Sequence, residues 1–364
     1  MDRIVSIASN FIDAEKIESA APYGNGHINS TYVITLKDSD ERYILQNINT
    51  NVFRNPEALM NNFVSVTDFL SKKIKAEGGD PKRETLTVIR TKNGGIFYKT
   101  DDGEYWRMLI FVSDSMCFDK VERPEQFYES AVAFGNFQYM LKDYPAEGLF
   151  ETIKDFHTTP VRFANLMKAV EADSCDRLAE VEAEVEFAKA REEFAGKFER
   201  ARECGVLPLK VTHNDTKLNN ILFDAPTGKP VCVIDLDTIM PGYAINDFGD
   251  SIRFGATSAA EDEADLSKVN FDINLFELYT KGFIEGAKGG LTEGELDLLA
   301  EAAIMMTFEC GMRFLTDYLE GDTYFRTSRP GQNLDRARNQ FKLVSDMEKA
   351  LPEMKSIVKK YSNK

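Results

Sequence analysis

Cysteine is scarce. Five residues, Cys117, Cys175, Cys204, Cys232 and Cys310, are spread through a chain of 364 with no close pair. An odd number at such spacing builds neither a disulfide framework nor a zinc knuckle, so the thiols are read as reduced and mostly structural. Histidine is rarer still, with only His27, His157 and His213, which argues against a multi-histidine metal centre. No apolar run approaches the roughly 20 residues that cross a bilayer. Residues 1–10 carry Asp2 and lack the sustained apolar core of a signal peptide, so a cytoplasmic location is expected. Positive charge is also in deficit: 44 Lys and Arg against 60 Asp and Glu leave a formal charge of −16. That balance opposes general binding to nucleic acid or anionic membrane, and any phosphate-handling site must be local.

What is present is a globular composition, 43% hydrophobic and 29% charged, in a chain longer than one hydrophobic core. Residues 32–36 and 43–46 are rich in β-branched and aromatic side chains, and the polar stretch 37–41 between them predicts an antiparallel hairpin. Asn55 as cap, Pro56 at the first helical position and Glu57 in the first turn predict a helix running to about Ala76. Further strands are predicted at 85–90, 95–99 and 105–112, separated by turns at Asn93-Gly94 and Asp102-Gly103. From Pro124 the apolar spacing becomes helical, as in Phe127, Ala131, Phe134 and Phe137, or Val181, Val185, Ala188 and Phe194 before a stop at Gly205. Thr292 and Glu295 form a capping-box pattern ahead of a long apolar run. One strand-like island, residues 220–237, lies within this helical part. The expected fold is α+β: a small antiparallel-sheet lobe over residues 1–112 and a larger, mainly helical lobe over 113–364.

The island follows Thr212-His213-Asn214-Asp215-Thr216-Lys217-Leu218-Asn219-Asn220, with the spacing H-x-D-x(4)-N, and ends in Ile234-Asp235-Leu236-Asp237. Phosphoryl transfer from a nucleotide needs a carboxylate to orient and deprotonate the acceptor hydroxyl, and oxygen ligands for magnesium. Asp215 is the candidate base. Asn220 and Asp235 are the candidate Mg2+ ligands, Lys217 would meet charge on the transferred group, and Asp237 is a further outer ligand. The alternative is a set of side chains that merely cap and close a loop; the hairpin and the Ile-Asp-x-Asp strand end, in the right order, favour chemistry.

This order resembles the bilobal kinase-like phosphotransferases of the aminoglycoside phosphotransferase and choline kinase type. It departs from protein kinases, since Asn214 stands where their catalytic loop has arginine and Asp235-Leu236-Asp237 replaces Asp-Phe-Gly. Strings beginning at Pro22, Tyr43, Val211, Ile234, Asp247 and Glu309 resemble more closely the bacterial N-acetylhexosamine 1-kinases. That resemblance implies ATP-dependent phosphorylation of N-acetylglucosamine or N-acetylgalactosamine at the anomeric hydroxyl, giving the 1-phosphate and ADP. It also implies a sugar site at His27 and Arg313, with Phe254 and Tyr324 as aromatic walls.

The glycine loop, with Gly24 and Gly26, would bring backbone N–H groups to the phosphates, or it is a simple hairpin turn. Adenine is expected along the hinge that contains Ile110 and Val112. At the strand position where a kinase normally has lysine stands Gln46, which donates a hydrogen bond but carries no charge. Arg313 lies four residues from both Glu309 and Asp317, so an ordinary helix-face ion pair is the plain alternative to sugar binding. Asp247 and Asp250 are expected to tie the catalytic loop in place, and His157 is expected to be structural. A monomer is expected, acting on ATP and a small-molecule sugar. Open alternatives are a kinase of choline, an aminoglycoside, homoserine or methylthioribose, and a nucleotide-binding pseudokinase for which Gln46 is the only support.

Overall fold

In the computed structural model, which describes residues 3–24 and 28–363, the predicted hairpin forms. Ser30–Leu36 pairs antiparallel with Ser39–Ile48, and the chain turns between them at Asp38, whose φ is 55°. Two compact units result, one built from residues 1–117, 143–154 and 221–240, the other from 118–142, 155–220 and 241–364. The chain therefore passes between units several times, where the sequence suggested a single boundary at 112. The reason is the island, whose strands Ile221–Asp224 and Pro230–Val233 pair with each other and, through the former, with Ser115–Met116.

The first unit holds a mixed-length antiparallel sheet in the order Ile17–Pro22, Ser30–Leu36, Ser39–Ile48, Tyr105–Ile110 and Val88–Ile89, with Tyr98–Lys99 also on Tyr105–Ile110. The strands expected at 85–90 and 95–99 are cut to two residues each because they share one edge. Val88 and Ile89 face Leu109 and Met108, while Tyr98 and Lys99 face Trp106 and Tyr105. The outer strand Ile17–Pro22 was not expected; its small residues and Pro22 are tolerated at an edge, where backbone N–H groups need no partner. Ile34, Leu45, Trp106 and Met108 pack with Ile7 and Phe11 on one face. The helix Pro56–Ala76 begins as predicted, Asn55 Oδ1 accepting from Ala58 N at 3.1 Å, a cap that contributes about 1 kcal/mol.

The second unit is helical. Pro124–Leu141 and Ile273–Ala287 approach closely through small residues: a Cβ at Gly135 would lie 2.2 Å from the Phe283 carbonyl oxygen, and one at Gly286 2.3 Å from that of Val132. Thr292 and Glu295 exchange hydrogen bonds as predicted, opening Glu293–Leu319, which packs against Ala244–Gly255 and Gln332–Ser362. Glu293–Leu319 is buried on most of its faces, which is why its sequence reads as a nearly continuous apolar run. The acidic segment is broken into Glu182–Lys189, Glu192–Ala195 and Lys197–Glu203, and it ends at Gly205 with φ 72°. Among the described residues no helix is long and apolar enough to cross a membrane.

Candidate active site

The loop carrying Asp215 follows the strand Lys210–Thr212 in the second unit, and its backbone is held by two acids from the helix Ala244–Gly255. Asp247 accepts from the backbone N–H groups of His213 (2.9 Å) and Asn214 (2.8 Å), and from the Gln138 amide at 2.7 Å. Asp250 accepts from Thr216 N at 3.0 Å, and Ser251 Oγ donates to the Thr216 carbonyl at 2.7 Å. Both acids therefore do what the sequence suggested. Burial raises the pKa of Asp247; burial acts the same way on Asp250, but Arg253, Lys217 and His157 outweigh it and lower the net value. His213 is fully buried, edge-on to the rings of Phe134 and Phe137, and its Nδ1 accepts from Asp215 N at 3.3 Å.

These ties leave the Asp215 carboxylate at a partly exposed position with two neighbours. Lys217 Nζ lies 2.6 Å from Oδ1, and Asn220 Nδ2 donates both to Oδ2 (3.1 Å) and to the Asp215 carbonyl (2.8 Å). The Asn220 amide nitrogen is thereby spent on Asp215, and its Oδ1 is the atom left to meet a cation. Burial works to lower the Lys217 ammonium, but the charges of Asp215 and Asp250 prevail and its pKa is raised. Lys217 thus stays cationic.

In the first unit, Asp235 sits at the end of the island's second strand with φ 60°, a left-handed conformation that Asp and Asn adopt more readily than other side chains. Asp237, expected as a further outer ligand, is paired within the protein. It is 2% exposed, and its two oxygens are taken by the Arg107 guanidinium and by Asn29 Nδ2 at 2.6 Å. Arg107, 1% exposed, was not singled out from sequence, where it reads as one charge inside an apolar strand. Its Nε donates to Gln46 Oε1 at 2.9 Å, and its guanidinium lies 4.7 Å from the centre of the Phe63 ring on Pro56–Ala76. A buried cation is therefore present directly beside the position where the sequence appeared to lose one.

Arg313 makes neither of the two helix-face ion pairs its spacing offered. Glu309 is taken by His157 Nδ1 (2.7 Å) and Thr159 Oγ1 (2.6 Å), and Asp317 accepts from the backbone N–H groups of Thr323, Tyr324 and Phe325 and from Asn333. The Arg313 guanidinium instead lies 5.0, 5.9 and 5.4 Å from the ring centres of Phe156, Tyr324 and Phe325. Arg162 is nearby, donating to the Phe156 carbonyl; burial and the charge of Arg313 lower its pKa. His157 joins this cluster to the catalytic loop, since its ring packs 4.4 Å from that of Phe156 and its Nε2 is 3.2 Å from the Asn214 carbonyl. Burial pushes the Glu309 carboxyl up, yet His157 and Thr159 hold it below the usual range. Sequence spacing gave no signal for His157, because its partners Asn214 and Glu309 are 57 and 152 residues away.

The other expected residues divide. Gly24 has φ 75°, a conformation open to glycine, whereas Gly26 and His27 lie outside the described residues. Ile110 ends its strand opposite Tyr43, and Val112 is buried two residues on. Phe254 is half-buried on Ala244–Gly255 and is not one of the rings around Arg313 among the described residues. Tyr324 is one of them and is 63% exposed.

Residues 118–276, which contain Asp215, Asn220, Asp235, Asp247 and Asp250, match the phosphotransferase enzyme family. Solved structures share the fold along nearly the whole chain. An aminoglycoside phosphotransferase from Alicyclobacillus acidocaldarius aligns with a TM-score of 0.63 at 14% identity, covering 97% of this chain and 96% of its own. An amicoumacin kinase in complex with AMP-PNP and Ca2+ gives 0.59 at 12% identity, with 96% and 94% covered. A choline kinase from Cryptosporidium parvum gives 0.56 at 13%, with 96% of each chain covered. The fold is that of the kinase-like small-molecule phosphotransferases.

Proposed function

We propose that this chain, whose residues 118–276 match the phosphotransferase enzyme family and whose fold is kinase-like, transfers the γ-phosphoryl group of ATP to the anomeric hydroxyl of an N-acetylhexosamine. The products are the hexosamine 1-phosphate and ADP. The observation that carries phosphoryl transfer is the Asp215 carboxylate, held on one side by Lys217 at 2.6 Å and on the other by Asn220 at 3.1 Å. Asp215 accepts the proton of the attacking 1-hydroxyl, and Lys217 offsets charge on the transferred oxygens. The ties from Asp247 and Asp250 fix the loop before substrate arrives, so that positioning costs little during the reaction.

Magnesium, when bound, supplies neutralisation of the triphosphate. Asn220, through Oδ1, and Asp235, through its carboxylate, are the residues that would hold it. The donors fit in kind, since both are hard oxygens. Two protein ligands, with phosphates and water filling the remaining positions, suit Mg2+ rather than zinc. The pseudokinase alternative loses its support, since Arg107 stands beside Gln46.

The acceptor reading is favoured by the cluster around Arg313. Choline and aminoglycosides carry ammonium groups, and a wall with Arg313 and Arg162 repels them. A neutral sugar suits it better, because a planar guanidinium donates to hydroxyl or acetamido oxygens while aromatic faces meet the C–H side of a pyranose. Steady-state ADP release with N-acetylglucosamine, N-acetylgalactosamine, choline and an aminoglycoside tests this. The N-acetylhexosamines should exceed the cationic acceptors in kcat/KM by about 100-fold or more, with a sugar 1-phosphate seen by phosphorus NMR. Preference for a cationic acceptor would overturn the sugar assignment and leave phosphoryl transfer standing.

A further inference from the structure

We infer that Arg107 is a positioning residue for the nucleotide: it sets the orientation of the Gln46 amide and lends it positive character, in place of a lysine on the same strand. The inference rests on the kinase reading above. Thr31, Gln46 and Arg107 are cross-strand neighbours on three successive strands, so all three project from one face of the sheet. A guanidinium only donates, so the atom of Gln46 that meets Arg107 Nε at 2.9 Å must be the oxygen, and the amide nitrogen must point the other way. That nitrogen donates one hydrogen to Thr31 Oγ1 at 3.1 Å. The second hydrogen is left for an acceptor on the half-buried side of Gln46. A phosphate oxygen is the acceptor that the strand's place in a kinase fold brings there.

Arg107 is itself fixed by Asp237, which belongs to the same Asp235-Leu236-Asp237 turn as the proposed magnesium ligand. Asp237 also accepts from Asn29, whose Oδ1 in turn accepts from Asn49 N at 3.0 Å. One buried carboxylate therefore ties together Asn29, the Gln46 strand by way of Arg107, and the turn that carries Asp235. In this arrangement the charge stays buried and paired, and Gln46 carries its influence outward. A short neutral side chain reaches the phosphate, and the long cationic one never leaves the sheet.

Isothermal titration of the full chain with Mg-ATP, without acceptor, tests the inference apart from the choice of sugar. Gln46→Leu and Gln46→Glu should each weaken Mg-ATP binding by about tenfold or more, with acceptor KM unchanged. Arg107→Met should weaken it about as much. Adding Gln46→Leu to Arg107→Met should cost nothing further, because the two act as a unit. Adding Gln46→Lys to Arg107→Met should restore affinity to within about threefold of the native chain. A purely structural Arg107 predicts additive losses and no rescue by lysine, and either result overturns the inference. Should Arg107→Met not fold, Gln46→Leu on the native background decides, and unchanged affinity there overturns it. No Mg-ATP binding by the native chain would instead overturn the kinase reading itself.

Discussion

Asp215→Asn removes the proposed proton acceptor and little else. Side-chain volume is kept, and Asn220 still reaches the backbone carbonyl of residue 215, at 2.8 Å in the native chain. An amide at 215 turns its oxygen toward the Lys217 ammonium, now 2.6 Å from Oδ1, which sets its NH2 against Asn220 Nδ2, now 3.1 Å from Oδ2. Two donors then face each other, and the loss is about one hydrogen bond, roughly 1 kcal/mol of stability. Loss of a general base costs about 10²–10⁴ in rate, or about 3–5 kcal/mol of barrier. The catalytic loss therefore exceeds the structural one by several-fold in free energy. In coupled ADP release at saturating N-acetylglucosamine, kcat should fall about 1,000-fold. Mg-ATP affinity should stay within about threefold, and the melting midpoint should fall by only a few degrees. A kcat within about tenfold of native would refute the assignment of the base; a large loss of Mg-ATP affinity would refute the separation of base from nucleotide site.

Asp235→Asn keeps the left-handed turn, which alanine would strain, and removes the charge; Mg-ATP affinity should fall about 100-fold while metal-free ATP binds as before, by isothermal titration with and without magnesium. Arg313→Met preserves bulk against the three rings but removes the donors, so KM for the sugar should rise about 10- to 100-fold with KM for ATP unchanged. Glu199 has a buried Oε2 with no hydrogen-bond partner, and burial lifts its pKa to about 6. Its ionised form is thus penalised by folding: the penalty is absent below the unfolded value, near 4.5, and complete above about 6. Glu199→Gln should therefore raise stability by about 1 kcal/mol at pH 8, after allowance for partial exposure, and by nothing at pH 4, as read by urea unfolding.

Local chemistry made much of the fold legible. The Asn55-Pro56 helix start, the Thr292/Glu295 capping box, the hairpin and the stop at Gly205 all depend on residues within a few positions of one another. The grouping of Asp215, Lys217 and Asn220 was legible for the same reason, since one short turn brings them together. Even its supports, Asp247 and Asp250, were recognisable as acids with a holding role. Strand lengths were not, because the width of the shared edge on Tyr105–Ile110 is set by two segments competing for it.

Ion-pair partners were the least legible feature, and the reason is physical rather than statistical. Spacing of four residues offered Arg313 two carboxylates, but a carboxylate in a crowded interior goes to the donors that most need it. Asp317 is spent on the three backbone N–H groups of Thr323, Tyr324 and Phe325, and Glu309 on His157 and Thr159. Arg313 instead lies beside the aromatic rings of Phe156, Tyr324 and Phe325. The same competition decides Asp237. A carboxylate only 2% exposed needs a strong donor as partner, and Arg107 is the one that the sheet register delivers. With Asp237 paired in this way, Asp235 is the carboxylate of Asp235-Leu236-Asp237 that is proposed to hold magnesium. Part of the negative charge that an acidic protein brings to the proposed ATP site is thus offset, at this turn, by Arg107.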